Sequence, residues 1–259
     1  MLIDLHVHSH HTRGCALQPA AVLAAARVAG LDGVLFTDLN TLDGLDEIRA
    51  AGREAGLLAL VGLEVATDKG HYLCVFPDPA KVPAPAQLFG SVTPWPVREV
   101  LARVNALGGV AVAAHPYDKT IDHPSGDSIF TLDGLGAIEG LHGRKKGSHN
   151  DLAIEAADHL NLPCVGGSGA LGGVGELGTA ATLFRDPVTS EADVVAQLRA
   201  GTVFCVALGV TPPPPERGQR GGREGRERGG REERAGRGGR PDGGPGGRGG
   251  GRGGPRRDG

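Results

Sequence analysis

The sequence predicts an α/β protein, a distorted (β/α)7 TIM-like barrel, followed by a tail that does not fold with it. Three observations lead there. Strand-like apolar runs alternate with amphipathic helix-like runs across residues 1–210. Most strand-like runs are continuously apolar, as strands covered on both faces are. Seven or so such units fit within residues 1–210, which favours a closed ring of strands over an open doubly wound sheet.

The elements follow in order. Ile3-Asp4-Leu5-His6-Val7-His8 reads as a first buried strand. Pro19 opens a helix that runs to Val28 and is closed by Gly30. Residues 33–37 form a second strand, residues 43–55 a second helix ending at Gly56, residues 58–65 a third strand and residues 71–76 a further one. A proline-rich loop spans 77–94, and Pro96 starts a helix reaching Leu107. Residues 110–114 make a buried strand that ends at His115-Pro116. A strand lies within 135–141, a helix over 150–160, a strand over 162–166, a helix over 191–200 and a last strand over 202–206. No GxGxxG follows the first strand, which counts against a dinucleotide-binding fold.

The composition breaks in two, giving a barrel domain over 1–210 and a tail over 211–259. After Thr211-Pro212-Pro213-Pro214-Pro215 the chain is almost entirely Gly, Arg, Glu, Asp and Pro, with Ala235 as its one apolar side chain besides proline. Such a segment cannot bury enough surface to offset the entropy of ordering, so disorder is expected. Residues 216–259 hold 13 Arg against 7 acidic residues, a net +6. The rest carries 14 basic and 23 acidic residues, a net −9, so the overall −3 describes neither part. Cys15, Cys74, Cys164 and Cys205 form no CxxC pair, which argues against a zinc knuckle or a disulfide framework and for a reducing compartment. The first residues already read as a strand, with no leader-like or membrane-spanning run, and the expectation is cytoplasmic.

In a barrel of this kind, ligands sit where strands end and βα loops begin. Every candidate donor falls near such a place: His6 and His8, Asp38, Glu64, His71 and His115. Alternate residues of a strand face one side, so His6 and His8 together make half of a divalent-metal site. Imidazole with carboxylate suits zinc, manganese or iron, and a shared glutamate can bridge two ions.

Asp4-Leu5-His6-Val7-His8-Ser9, Thr37-Asp38, Gly62-Leu63-Glu64 and Ala114-His115-Pro116 resemble, in order and spacing, the polymerase and histidinol phosphatase (PHP) domain, over essentially all of residues 1–209. The resemblance implies a barrel whose two- or three-metal centre hydrolyses phosphoesters. Short members of this type include nucleotide phosphatases and 5′-to-3′ exonucleases, so a nucleotide, an oligonucleotide or a sugar phosphate is the implied substrate. It also implies that Glu64, His71 and His115 serve one ion and that His6, His8 and Glu64 serve another.

The chain departs from the family pattern where Leu39, Gly169 and Leu171 stand in place of an expected His, Asp and His, and Gly14 lies near another expected histidine. By this mapping the third metal site is absent, and the His6–His8 site lacks its aspartate. A water, Ser168, His142 or His149 can fill that gap. One or two ions are expected, and the alternative to a hydrolase is a catalytically impaired PHP barrel kept for binding or regulation.

Other features read less sharply. Arg144-Lys145-Lys146 falls in a βα loop at the mouth, where Arg144 and Lys145 can pair a phosphate or simply be solvated. Asp38 suits a position behind a ligand histidine, Asp43 and Asp46 suit the first turn of a helix, and Asn150 suits an N-cap. The glycine-rich run 166–173 follows a strand and can cradle a phosphate with backbone N–H groups, but it has no Walker lysine and reads more readily as a flexible loop. Arg-Gly-Gly recurs at Arg220, Arg228, Arg237, Arg248 and Arg252. It can bind single-stranded nucleic acid through phosphate charge, although no aromatic residue accompanies it, or be a low-complexity extension without a partner.

Overall fold

Strand β1 (Leu2–Val7) leads through α1 (Pro19–Val28) to β2 (Gly33–Leu39), and α2 (Leu45–Ala55) leads to β3 (Leu58–Thr67) and β4 (Gly70–Val75). The short α3 (Pro85–Phe89) and then α4 (Val97–Ala106) precede β5 (Val110–Ala114) and β6 (Ala137–His142). Then come α5 (Ser148–His159), β7 (Cys164–Gly167), β8 (Ala180–Phe184), α6 (Glu191–Ala200) and β9 (Val203–Ala207). The structure, a computed structural model, describes residues 1–145 and 147–209. Lys146 and the expected tail, 211–259, lie outside the described residues.

All nine strands of the described residues belong to one sheet, in the order β7-β6-β5-β4-β3-β2-β1-β8-β9. The sheet curls until its ends approach. Beyond β7, Gly169 N–H donates to the His6 carbonyl at 2.8 Å and His8 N–H to the Ala170 carbonyl at 2.9 Å, so the end of β1, a strand already paired with β2 and β8, also meets the segment that follows β7. The α/β barrel expectation is met as a nearly closed barrel, but nine strands stand where seven regular units were expected.

The differences have physical causes. β3 and β4 are joined by two residues, with Thr67 paired to Gly70. A connection that short cannot cross over to a parallel position, so β4 runs antiparallel. Gly70 takes φ +97° in the turn, a conformation that favours glycine. β4 is antiparallel to β5 as well, and β8 is antiparallel to both β1 and β9. β8 was not expected. Its Ala-Ala-Thr-Leu-Phe run is short, and alanine has little strand preference. Asn150 does not cap α5. Gly147 does, and the Asn150 side chain instead bonds the backbone N–H and carbonyl of His142.

Three apolar layers hold the fold. Outside β1–β3, Val22, Leu23 and Ala26 of α1 and Ile48 of α2 pack on Val7, Val34, Phe36 and Val61. Outside β3–β6, Val100, Leu101 and Val104 of α4 and Ala153 and Ala156 of α5 cover Leu63, Val65, Tyr72, Ala113 and Ile138. Inside, Val194, Val195 and Leu198 of α6 meet Ile3, Leu35, Leu73 and Val112. Each buried Val, Leu, Ile or Phe side chain among them contributes about 1.5–3 kcal/mol. A capping box between Ser190 and Asp193 starts α6, and Gly201 in the left-handed conformation ends it. No helix among the described residues is long and apolar enough to cross a membrane.

Candidate metal centre

The site begins with an irregularity in β1. Asp4 pairs with Val34 and Val7 with Phe36, so three steps on β1 oppose two on β2. Ile3 and Leu5 point into the barrel, while Val7 points out toward α1. The extra residue of this bulge turns His6 and His8 inward. Strict alternation with Ile3 and Leu5 would have left both outside.

Both histidines meet Glu64, near the end of β3 and 3% exposed. Glu64 Oε2 lies 3.7 Å from His6 Nε2 and 3.3 Å from His8 Nε2. Its other oxygen, Oε1, lies 2.9 Å from His71 Nδ1 and 3.2 Å from His115 Nε2. The five expected ligands therefore come together, and the carboxylate is shared between two histidine pairs. Donors on one tetrahedral zinc ion sit about 3.3 Å apart, given bonds near 2 Å, so each half has the span an ion needs. The residues fit a metal.

Buried groups behind the site orient the rings. Glu139 Oε1 is 2.9 Å from His6 Nδ1, and Glu139 Oε2 accepts the His115 backbone N–H at 2.8 Å. Asp38 accepts from Ser9 N–H and Ser9 Oγ, both at 2.6 Å, and from Thr12 Oγ1 at 2.7 Å. With its proton given to Asp38, Thr12 Oγ1 accepts from His8 Nδ1–H at 3.0 Å. Both His6 and His8 thus present Nε2 to Glu64, the arrangement by which carboxylates orient ligand imidazoles. His115 is held at φ +29°, uncommon for a residue with a side chain.

The electrostatics follow from burial. Burial alone would lower the His6 imidazole, but Glu139 and Glu64 hold it up to about 10. Burial would raise the Glu64 carboxyl, but the charge of His6 and hydrogen bonds from His115, His6 and His71 hold it well below the usual range. Burial pushes His8 down to about 4 and His142 to about 3, so both are neutral near pH 7.

Arg144 and Lys145 line the cleft of about 300 Å³ above the histidines. Lys145 Nζ lies 2.8 Å from the buried Asp118, and Arg144 donates to the Gly169 carbonyl at 3.3 Å. Leu39, Gly14 and Leu171 form a wall of the same cleft without donor atoms. Ser168 is buried, with Oγ facing the backbone of His6 and Ala170. His149 lies in the first turn of α5 and does not line the cleft. Asp46 is in the first turn of α2 as expected, whereas Asp43 precedes that helix. Sequence reasoning passed over Glu139. The available signal was a lone carboxylate inside the apolar run Ala137-Ile138-Glu139-Gly140-Leu141.

Residues 4–123 match the PHP domain, and residues 147–203 match the PHP-associated segment. An uncharacterised protein of Methanocaldococcus jannaschii is 27% identical over 166 residues, covering 60% of this chain and 90% of that one. A 5′-3′ exoribonuclease of Haemophilus influenzae is 32% identical over 65 residues, covering 25% of this chain and 23% of its own. Among solved structures, a Bifidobacterium adolescentis protein assigned as a metal-dependent phosphoesterase superposes with a TM-score of 0.53 at 21% identity, covering 77% of this chain and 96% of that one. A two-domain Bacteroides vulgatus protein containing a predicted PHP-like metal-dependent phosphoesterase gives 0.62 at 16% identity, covering 80% of this chain and 65% of that one. At these identities the structures speak to the fold.

Proposed function

The chain belongs to the PHP family, and from that premise we propose that it is a metal-dependent phosphoesterase working with one or two ions. The observation that carries this reading is the division of Glu64, with Oε2 facing His6 and His8 and Oε1 facing His71 and His115. His6, His8, Glu64, His71 and His115 would hold zinc, manganese or iron. When bound, such ions supply Lewis acidity toward a phosphoryl oxygen and a water acidic enough to act as nucleophile near neutral pH.

The chain's own residues supply orientation and charge. Glu139 holds His6, and Asp38 acts through Thr12 to hold His8, so neither needs to reach the substrate. Arg144 and Lys145 stand at the mouth, where guanidinium and ammonium donors suit phosphate oxygens. Leu39 and Leu171 stand where a third ion would help hold a phosphate, and that task falls to these cations. A nucleotide, an oligonucleotide 5′ end or a sugar phosphate fits this chemistry. The local likeness to an exoribonuclease favours the oligonucleotide, and the arginines of the tail's Arg-Gly-Gly repeats would add positive charge toward its phosphates.

A second reading rests on the wall of Leu39, Gly14 and Leu171. A site without donors there suits a barrel that binds a phosphorylated ligand without turning it over. The discriminating experiment is elemental analysis of purified protein with a panel of mono- and diesters. Hydrolysis stimulated by manganese or zinc and abolished by chelation is expected. Metal-loaded protein with no turnover on any ester supports the binding module.

A further inference from the structure

The ring of His142 fills the space that a side chain at Gly169 would enter. We propose that His142 is a metal ligand of this chain, taking the coordination position left open by Gly169; the assignment rests on the metal centre described above.

His142 ends β6, beside Gly167 of β7. The residue is 4% exposed, and its ring is edge-on to two expected ligands, with centroids 5.2 Å from His6 and 5.1 Å from His115. One donor atom each of His6, His115 and His142 lie within 4.8 Å of one another. A Cβ placed on Gly169 would fall onto Cε1 and Nε2 of His142, so a side chain at 169 and the His142 ring compete for one volume. A side-chain donor at 169 and the His142 ring in its present place thus exclude each other. Asn150 fixes the backbone from which the ring projects, accepting from His142 N–H at 3.2 Å and donating to its carbonyl at 3.3 Å.

One contact must open for this ligand to bind. His142 Nδ1 accepts the Arg144 N–H at 3.3 Å, which places the imidazole proton on Nε2. Coordination through Nε2 would need the other tautomer, with the proton on Nδ1, and so would require the Arg144 amide to release this nitrogen. The proton count of the ring does not change. A neutral imidazole in place of a carboxylate also makes the ligand set softer, which favours zinc or cobalt over manganese.

The test uses full-length protein loaded with Co(II), read by absorption spectroscopy and by metal content. His142→Phe keeps a ring and removes both nitrogens. It is expected to change the Co(II) spectrum and to weaken one site tenfold or more, while Glu64→Ala removes cobalt altogether. The double variant His142→Ala/Gly169→Asp should recover cobalt binding and shift preference toward manganese, and it is the arm to rely on should His142→Phe not fold. Unchanged spectrum and stoichiometry in His142→Phe overturn the assignment and leave the metal centre standing. A wild type that binds no cobalt overturns both.

Discussion

Glu64 has more leverage than any other residue of the centre, because both of its oxygens are engaged and it is 3% exposed. Glu64→Ala is expected to remove metal from both halves and to lower phosphoesterase activity at least a hundredfold, as seen by elemental analysis and initial rates. Loss confined to one half would mean that the carboxylate is not shared. His6 gives a pH prediction. Its folded value, held up to about 10 by Glu139 and Glu64 against burial, lies above the ordinary 6.5. Such a group contributes stability that is complete below pH 6.5 and fades as pH rises through 10. The melting temperature of chelated protein should therefore fall over that window, and Glu139→Gln should move the fall to lower pH. A flat profile in the chelated wild type would show that His6 is not charged in the folded state.

At the scale of elements, the bulge in β1 decides which way the first two histidines face, and the loop after β1 is tied to β2 through Asp38. α6 closes the interior from another side. Leu198 is fully buried there, in one apolar cluster with Ile3, Leu73 and Val112. Leu198→Ala should cost about 2–5 kcal/mol, measured by urea unfolding. A cost below about 1 kcal/mol would mean that α6 relaxes onto the cavity instead of plugging a rigid barrel.

For the whole molecule, the same contacts that close the barrel serve the site. Ser168 N–H donates to Asp4 at 2.8 Å and Gly169 N–H to the His6 carbonyl at 2.8 Å. A segment without ligand side chains therefore still anchors the strand that carries two of them. Residues 216–259 hold no apolar side chain except Ala235 and prolines, and on that composition we expect limited proteolysis to trim the chain to about residue 210 without loss of core stability. A lower melting temperature after trimming would show that the tail packs on the barrel.

The sequence by itself determined the alternation of strands and helices, the convergence of donors at strand ends and the family. Those properties are written in local apolar periodicity and in short motifs such as Leu5-His6-Val7-His8 and Ala114-His115-Pro116. Proline and glycine punctuation was equally legible at Pro19 and Gly56, because a missing N–H or a left-handed turn is a property of the residue itself. Only the tertiary structure decided that Glu64 divides its oxygens between two histidine pairs, that Glu139 stands behind His6, that Asp38 reaches His8 through Thr12, and that His142 occupies the space beside Gly169. Each of those depends on residues from strands far apart in the chain meeting inside one barrel. The bulge in β1 and the antiparallel β8 belong with them, since strand register and pairing are settled between strands and not within one.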